Sequence, residues 1–441
     1  MVLGPGPLGH YALAMGKVVE FDPPRRRGAK RAPGARAGRG RRPPQRSRTA
    51  LVLGGGGFTG GVYEIGALRA LDLLTVNKTV NEFDIYVGTS AGAFVASLAV
   101  NGVTPEEMMR VVTGQQPTPF RDIDLSQLLR PNLLELLTKG ALLPLRAALL
   151  VREMAGHAGQ VSMMDLAVGL AAGLPSGMYS GKGIERYMRT VLSDPDRSDD
   201  FRMLAKELYL TATDLDTCER IVFGREGWDD VPISTAVAAS TALPMVYSPM
   251  KVRERELVDG GVVSTTNLDI AVEAGAKLIV VINPLVPYVN PFAGDRRTLL
   301  GSRPRHVSDM GFPQIGYQSF KLLAYQRLHE MAKQWEARYP GVDIVLIEPK
   351  PDDELMFQTS MMNFASRTQI GRHGFESVTL KLASGYDEYK AICDRHGIEI
   401  SPTRVRKVMK HFGAEKEHTR AWRKILEQTT GALLRQSSQA E

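Results

Sequence analysis

The sequence predicts an α/β fold: a three-layer α/β/α arrangement around a mostly parallel central sheet, with a helical insertion and a helical C-terminal extension. Three observations predict it. A short apolar strand runs into a glycine-rich turn and then a helix at two places, further strands alternate with helices down the chain, and the remaining long stretches carry helical periodicity without a strand signal. Strands joined through helices lie parallel and are covered on both faces.

Taken in order, residues from Pro23 to Ser47 are Arg, Pro, Gly and Ala with almost no aliphatic side chains, a composition that cannot offset the entropy of ordering. A disordered basic tail is therefore expected over 1–48, and the folded domain from 49. Thr49 to Leu53 reads as a strand stopped by four glycines, and Val62 to Thr75 as the following helix. The pattern recurs with a strand at Asp84 to Val87, a sharp turn at Gly88 to Gly92 and a helix at Ala93 to Asn101. Between Thr104 and Arg197 helical periodicity dominates with no convincing strand, which predicts a helical insertion over one end of the sheet, placed to act as a lid. Further strands are expected at 207–213, 220–223, 257–258, 277–282 and 343–347, and helices at 313–338, 362–384 and 402–436. The expected division is a catalytic domain over 49–385 and a basic helical extension over 386–441.

Composition bounds the function. The chain has 441 residues, 43% hydrophobic and 23% charged, the balance of a folded globular protein. Its net charge of +7 is unevenly spread: +10 over residues 1–50, +5 over 401–441, and −8 over the body between them. An acidic body argues against a nucleic-acid-binding core, and no nucleic acid is expected as a partner, while the basic ends suit peripheral contact with an anionic membrane. Two cysteines, Cys218 and Cys393, make neither a disulfide framework nor a zinc site, which fits a reducing, cytoplasmic setting. Met1 to Pro7 lacks the features of a secretory signal, and the most apolar region, Gly140 to Leu174, is interrupted by Arg146, Arg152, Glu153, His157 and Asp165. Neither a cleaved signal nor a transmembrane helix is expected.

Three local motifs carry chemistry. Gly88-Thr89-Ser90-Ala91-Gly92 is a G-x-S-x-G between strand and helix, where small flanking residues let the backbone turn sharply enough to expose a serine hydroxyl. Gly54 to Gly57 and Phe58-Thr59-Gly60-Gly61 form a loop almost bare of side chains, whose backbone N–H groups can converge on an anion. That anion is either a phosphate or the tetrahedral oxyanion of acyl transfer. Gly55-x-Gly57-x-x-Gly60 matches the dinucleotide fingerprint, but no acidic residue ends the second strand, and no Gly-Lys-Ser/Thr closes a P-loop. Asp259-Gly260-Gly261, after Leu257-Val258, presents a carboxylate at a turn.

In this order, with Ile65-Gly66-Ala67-Leu68 after the glycine loop and Ala239-Ser240-Thr241-Ala242-Leu243-Pro244 before the Asp-Gly-Gly turn, the sequence resembles the patatin-like phospholipase family from about residue 49 to 285. The resemblance implies a lipid acyl hydrolase whose Ser90 and Asp259 act as a catalytic dyad, with oxyanion N–H groups from Gly55, Gly56 and Gly57, and with Gly88, Gly92, Gly260 and Gly261 supporting the two turns. It implies an acyl-serine intermediate, a phospholipid or other lipid ester as substrate, and no metal or cofactor for the chemistry. One departure stands out: the family's loop often has a basic residue before its last glycine, and Phe58-Thr59-Gly60 has none.

Two other readings use the same residues. A Ser-His-Asp triad would draw on His306, His329 or His373, none of which follows an obvious strand; a non-catalytic protein binding a nucleotide or a partner would keep the fold without needing both Ser90 and Asp259. Cys218, Asp214 and Asp216 read as residues of a hairpin, and the paired methionines as core fillers.

Overall fold

The computed structural model describes residues 47–114, 130–132, short helical pieces at 137–139, 141–142, 148–149 and 152, then 175–289, 306–351, 353, 355–356, 364–408 and 410. The expected N-terminal tail up to 46, most of the 104–197 insertion and the end of the C-terminal extension lie outside those residues.

The N-terminal half alternates as anticipated: β1 (Thr49–Leu53), α1 (Gly57–Leu74), β2 (Ile85–Thr89), α2 (Ala91–Val100) and α3 (Pro105–Thr113). Next come β3 (Gly177–Tyr179), α4 (Lys182–Leu192), β4 (Glu207–Asp214), β5 (Arg220–Phe223), α5 (Ile233–Ser240), β6 (Met245–Tyr247), β7 (Met250–Val252), β8 (Arg255–Asp259), α6 (Leu268–Glu273) and β9 (Leu278–Ile282). The chain continues through α7 (Phe312–Ala332), α8 (Trp335–Arg338), β10 (Asp343–Ile347), α9 (Arg367–Ser384) and α10 (Tyr386–Arg395).

An eight-stranded sheet runs β10-β9-β1-β2-β4-β8-β7, with β5 also paired to β4. The five strands from β10 to β4 are parallel, and β5, β8 and β7 join antiparallel at one end. The sheet is mostly parallel because its central strands are returned by helices, whereas hairpins close the far end. Alternation along β1 and β2 separates two cores. Leu51, Leu53 and Tyr86 face the helices α1, α2, α5 and α9, and Ala50, Val52, Ile85 and Val87 face Leu268, Ile270, Leu328 and Trp335 on the other side. Burying each such Leu or Ile contributes about 1.5–3 kcal/mol. Residues beyond 385 join the first of these cores through Tyr389, Ile392, Ile398, Ile400 and Val405.

Several features depart from the sequence reading. Helix α1 starts at Gly57 rather than Val62, so the last glycine of the run and Gly60 and Gly61 form its first turn; glycines are poor helix formers, but here an added Cβ would press on Pro284 at 3.1 Å from Gly60 and on Ala91 at 3.2 Å from Gly61. The insertion region contains β3, whose Gly177 and Tyr179 pair in parallel with Met245 and Tyr247 of β6; three residues are too few to show alternation. The 313–338 segment is two helices, α7 and α8, and β6 and β7 were not anticipated. The 362–384 helix begins at Arg367, and of the 402–436 helix the described part is 402–408 and 410. Among the described residues no helix is long and apolar enough to cross a membrane.

Candidate active site

The site lies where three strands end. β1 and β2 are parallel neighbours, with Leu53 opposite Gly88, so the glycine loop after one and the serine turn after the other leave the sheet at the same edge. β2 and β8 pair end to end with the same edge of β4, Thr211 lying opposite Thr89 and Ala212 opposite Asp259, while β5 pairs with the other edge. Ser90 follows Thr89, so it and Asp259 adjoin where β2 gives way to β8 along that edge. Their side chains meet there: the Ser90 hydroxyl donates to Asp259 Oδ2 at 2.5 Å.

Ser90 sits at φ 57°, ψ −125°, a strained conformation for a residue with a side chain, and begins the first turn of α2. The flanking glycines make the turn possible. A Cβ on Gly92 would stand 2.3 Å from the Leu53 carbonyl oxygen, and one on Gly88 would stand 2.6 Å from Ala93 Cα. The turn is pinned from two directions: Gly92 N–H donates to the Gly54 carbonyl at 3.1 Å, and Ser90 N–H donates to Ser240 Oγ at 2.9 Å. Beneath it, Asn267 Nδ2 donates to Thr89 Oγ1 and Thr211 Oγ1, and those two hydroxyls are hydrogen-bonded to each other at 2.9 Å.

Asp259 ends β8 with 2% of its surface exposed. Its second oxygen accepts the Gly261 N–H at 2.7 Å, so Gly260 and Gly261 form a turn that holds the carboxylate rather than merely following it. Burial pushes the Asp259 carboxyl up from 3.8 to about 6, opposed by its hydrogen bonds from Ser90 and Gly261. At neutral pH it remains ionised, and it is a stronger base than an exposed aspartate.

The three glycines expected to face an anion are not equivalent. Gly55 N–H points to the Thr265 carbonyl at 3.3 Å, while its α-carbon packs against Ser90, where an added Cβ would come within 3.2 Å of the serine Cβ. Gly56 and Gly57 have N–H groups with no acceptor among the described residues, at the N-terminus of α1, where the helix dipole favours negative charge. Gly57 has φ 63°, accessible to glycine with little strain. Thr59, at the position of the missing basic residue, is buried and carries no charge to the loop.

Beside Ser90 opens a cavity of about 110 Å³, lined by Gly57, Phe58, Val62, Ile65, Phe94, Val95, Ile184 and Leu243 among others, with no charged side chain among the described residues of its lining. It suits a hydrocarbon chain. The three histidines considered for a triad lie elsewhere. His373 pairs with Asp353 at 2.5 Å, His329 with Glu348 at 3.1 Å while packed on Tyr325, and His306 begins a short 3₁₀ turn. Both Asp259 oxygens are already occupied, by Ser90 and Gly261. Asp214 and Asp216 occupy the β4–β5 hairpin as read from sequence, Asp214 Oδ1 accepting the Asp216 N–H at 2.9 Å. Ser240 and Asn267 had no separate signal in the sequence. Ser240 falls within the motif that carries the resemblance, but its partner was not legible there.

The patatin-like phospholipase family matches residues 51–272. A probable lipid hydrolase, 463L, of Invertebrate iridescent virus 6 is 24% identical over 229 residues, which cover 51% of this chain and 63% of the viral protein; the match thus spans less than two thirds of that relative. Among solved structures, VipD from Legionella pneumophila aligns with 14% identity and a TM-score of 0.35, covering 76% of this chain and 67% of VipD. The ExoU effector of Pseudomonas aeruginosa aligns with 17% identity and a TM-score of 0.29, covering 77% of this chain and 53% of ExoU.

Proposed function

The chain belongs to the patatin-like phospholipase family, and from that premise we propose that it is a serine lipid acyl hydrolase with Ser90 as nucleophile and Asp259 as base. The observation that carries this reading is the 2.5 Å hydrogen bond between the two side chains, formed inside a buried site that opens on an apolar cavity. The lipid ester places its acyl chain in the cavity and its carbonyl carbon over Ser90 Oγ. Asp259 Oδ2 accepts the hydroxyl proton as the oxygen attacks, and the carbonyl becomes a tetrahedral oxyanion. Gly56 and Gly57 N–H groups, unspent in the free chain and backed by the α1 dipole, stabilise that charge. Collapse expels the alcohol half, which leaves with the proton from Asp259, and an acyl-serine remains. Water then gives its proton to Asp259 and attacks the acyl carbon. The second collapse frees the fatty acid, and the proton returns to Ser90.

A buried aspartate suits this role better than an exposed one. Proton transfer is most effective when the base titrates near the working pH, and a carboxyl moved to about 6 is closer to it by about two pH units. Ser240 keeps Ser90 in its strained turn by accepting its N–H, which helps hold the hydroxyl toward Asp259.

The test is fatty-acid release from phospholipid and lysophospholipid vesicles by wild type, Ser90→Ala and Asp259→Asn, each checked for folding by circular dichroism. Release by wild type that disappears in both folded variants is expected. Release that persists in Ser90→Ala overturns the assignment.

A further inference from the structure

The cavity that receives the acyl chain is neutral throughout, so a charged headgroup must be held outside it. Gly57 and Phe58 line the cavity and keep partial solvent exposure, which puts one opening at their edge. Arg367 is one contact away from that lining on two sides. Its Nε donates to the Val112 carbonyl at 2.8 Å, and Val112 is itself part of the lining. Its guanidinium lies 4.1 Å from the centre of the Phe364 ring, and Phe364 packs against Phe58 with ring centres 5.1 Å apart.

We propose that Arg367 is the anion-binding residue of this site, holding the phosphate of a lipid headgroup whose acyl chain fills the cavity. The proposal rests on the acyl-hydrolase reading and deepens it by naming the substrate class as phosphate-bearing lipids rather than neutral glycerides. Two carbonyls, those of Val112 and Phe364, fix the guanidinium without neutralising it. Of its five N–H donors, three have no acceptor among the described residues, and no described carboxylate forms an ion pair with it. A half-buried arginine without a counter-ion among the described residues, braced on an aromatic ring and presenting a planar fork of donors, matches the geometry of phosphate oxygens. Arg367 also caps the C-terminal end of α3 through Val112, so the experiment must separate recognition from support.

Hydrolysis of a short-chain lysophospholipid and of a monoacylglycerol with the same acyl chain is compared for wild type, Arg367→Gln and Arg367→Lys. In parallel, binding of the ether-linked lysophospholipid and of the matching alkylglycerol, neither of which can be hydrolysed, is measured on Ser90→Ala with and without Arg367→Gln. The expected result is a loss of about 10-fold or more in kcat/KM for the phospholipid in Arg367→Gln, mainly through KM, with the glyceride changed little and Arg367→Lys in between. Binding of the ether phospholipid falls by a similar factor and binding of the alkylglycerol does not. An equal fall for both lipids, the mark of a capping role alone, or no fall for the phospholipid, overturns the proposal. If wild type cleaves neither ester, the acyl-hydrolase reading fails, while the two binding measurements still decide the role of Arg367.

Discussion

Replacing Asp259 by Asn is expected to abolish activity and, at neutral pH, to make the protein more stable. The carboxyl is buried and moved from 3.8 to about 6, so between those values the folded chain holds a proton that the unfolded chain has already lost. Stability from this group therefore falls as pH rises through that window. Above it, keeping the ionised carboxylate folded costs about 3 kcal/mol relative to an aspartate with an unshifted pKa. Asn carries no charge at any pH and keeps an oxygen to accept the Gly261 N–H and an amide to face Ser90 Oγ. The difference in unfolding free energy between Asp259→Asn and wild type should accordingly grow in favour of the variant by about 3 kcal/mol between pH 4 and pH 7.5. Urea unfolding of both proteins at the two pH values measures it, with linear extrapolation to water. The same carboxyl should set an acid limb in wild-type kcat/KM near pH 6. A stability difference that is the same at both pH values would refute the argument, because it would mean that Asp259 titrates no differently in the folded and unfolded chains.

Ser90→Ala and Ser90→Gly both remove the hydroxyl and should both be inactive, but the glycine variant should be the more stable by about 1–2 kcal/mol, since φ 57° with ψ −125° strains any residue bearing a Cβ; equal thermal stability would show that the turn stores no strain. Ser240→Ala leaves the Ser90 N–H without its buried acceptor, and the expected outcome is a loss of about 1–3 kcal/mol in stability together with a fall in kcat larger than any change in KM. Wild-type kcat in that variant would remove Ser240 from the support of the nucleophile.

Much of this site was legible in the sequence because its requirements are local. A backbone that must turn at Ser90 leaves glycines on both sides of it, a loop that must expose N–H groups sheds its side chains, and a carboxylate held by a turn is followed by Gly260 and Gly261; each constraint is written within a few adjacent residues. The strands were legible for the same reason, as short apolar runs stopped by turns. The helix start at Gly57 was not, because the packing that overrides glycine's poor helix propensity comes from Pro284, far along the chain. β3 and β6 were not, because three-residue strands are defined by each other rather than by their own pattern.

What the sequence determined by itself, then, is the class of fold and the small residues around a serine and an aspartate. The tertiary structure decided which groups meet. Ser90 and Asp259 are 169 positions apart, Ser90 and Ser240 are 150, and Arg367 reaches Val112 across 255. Those distances close through the ladder that pairs both β2 and β8 with one edge of β4 and through the helices packed over it. The same enclosure raises the pKa of Asp259, spends the N–H of Gly55 on Thr265 and leaves Arg367 without a described counter-ion beside a neutral cavity. Backbone conformation follows from nearest neighbours, but burial, register and the company of a charge depend on the whole chain being folded at once.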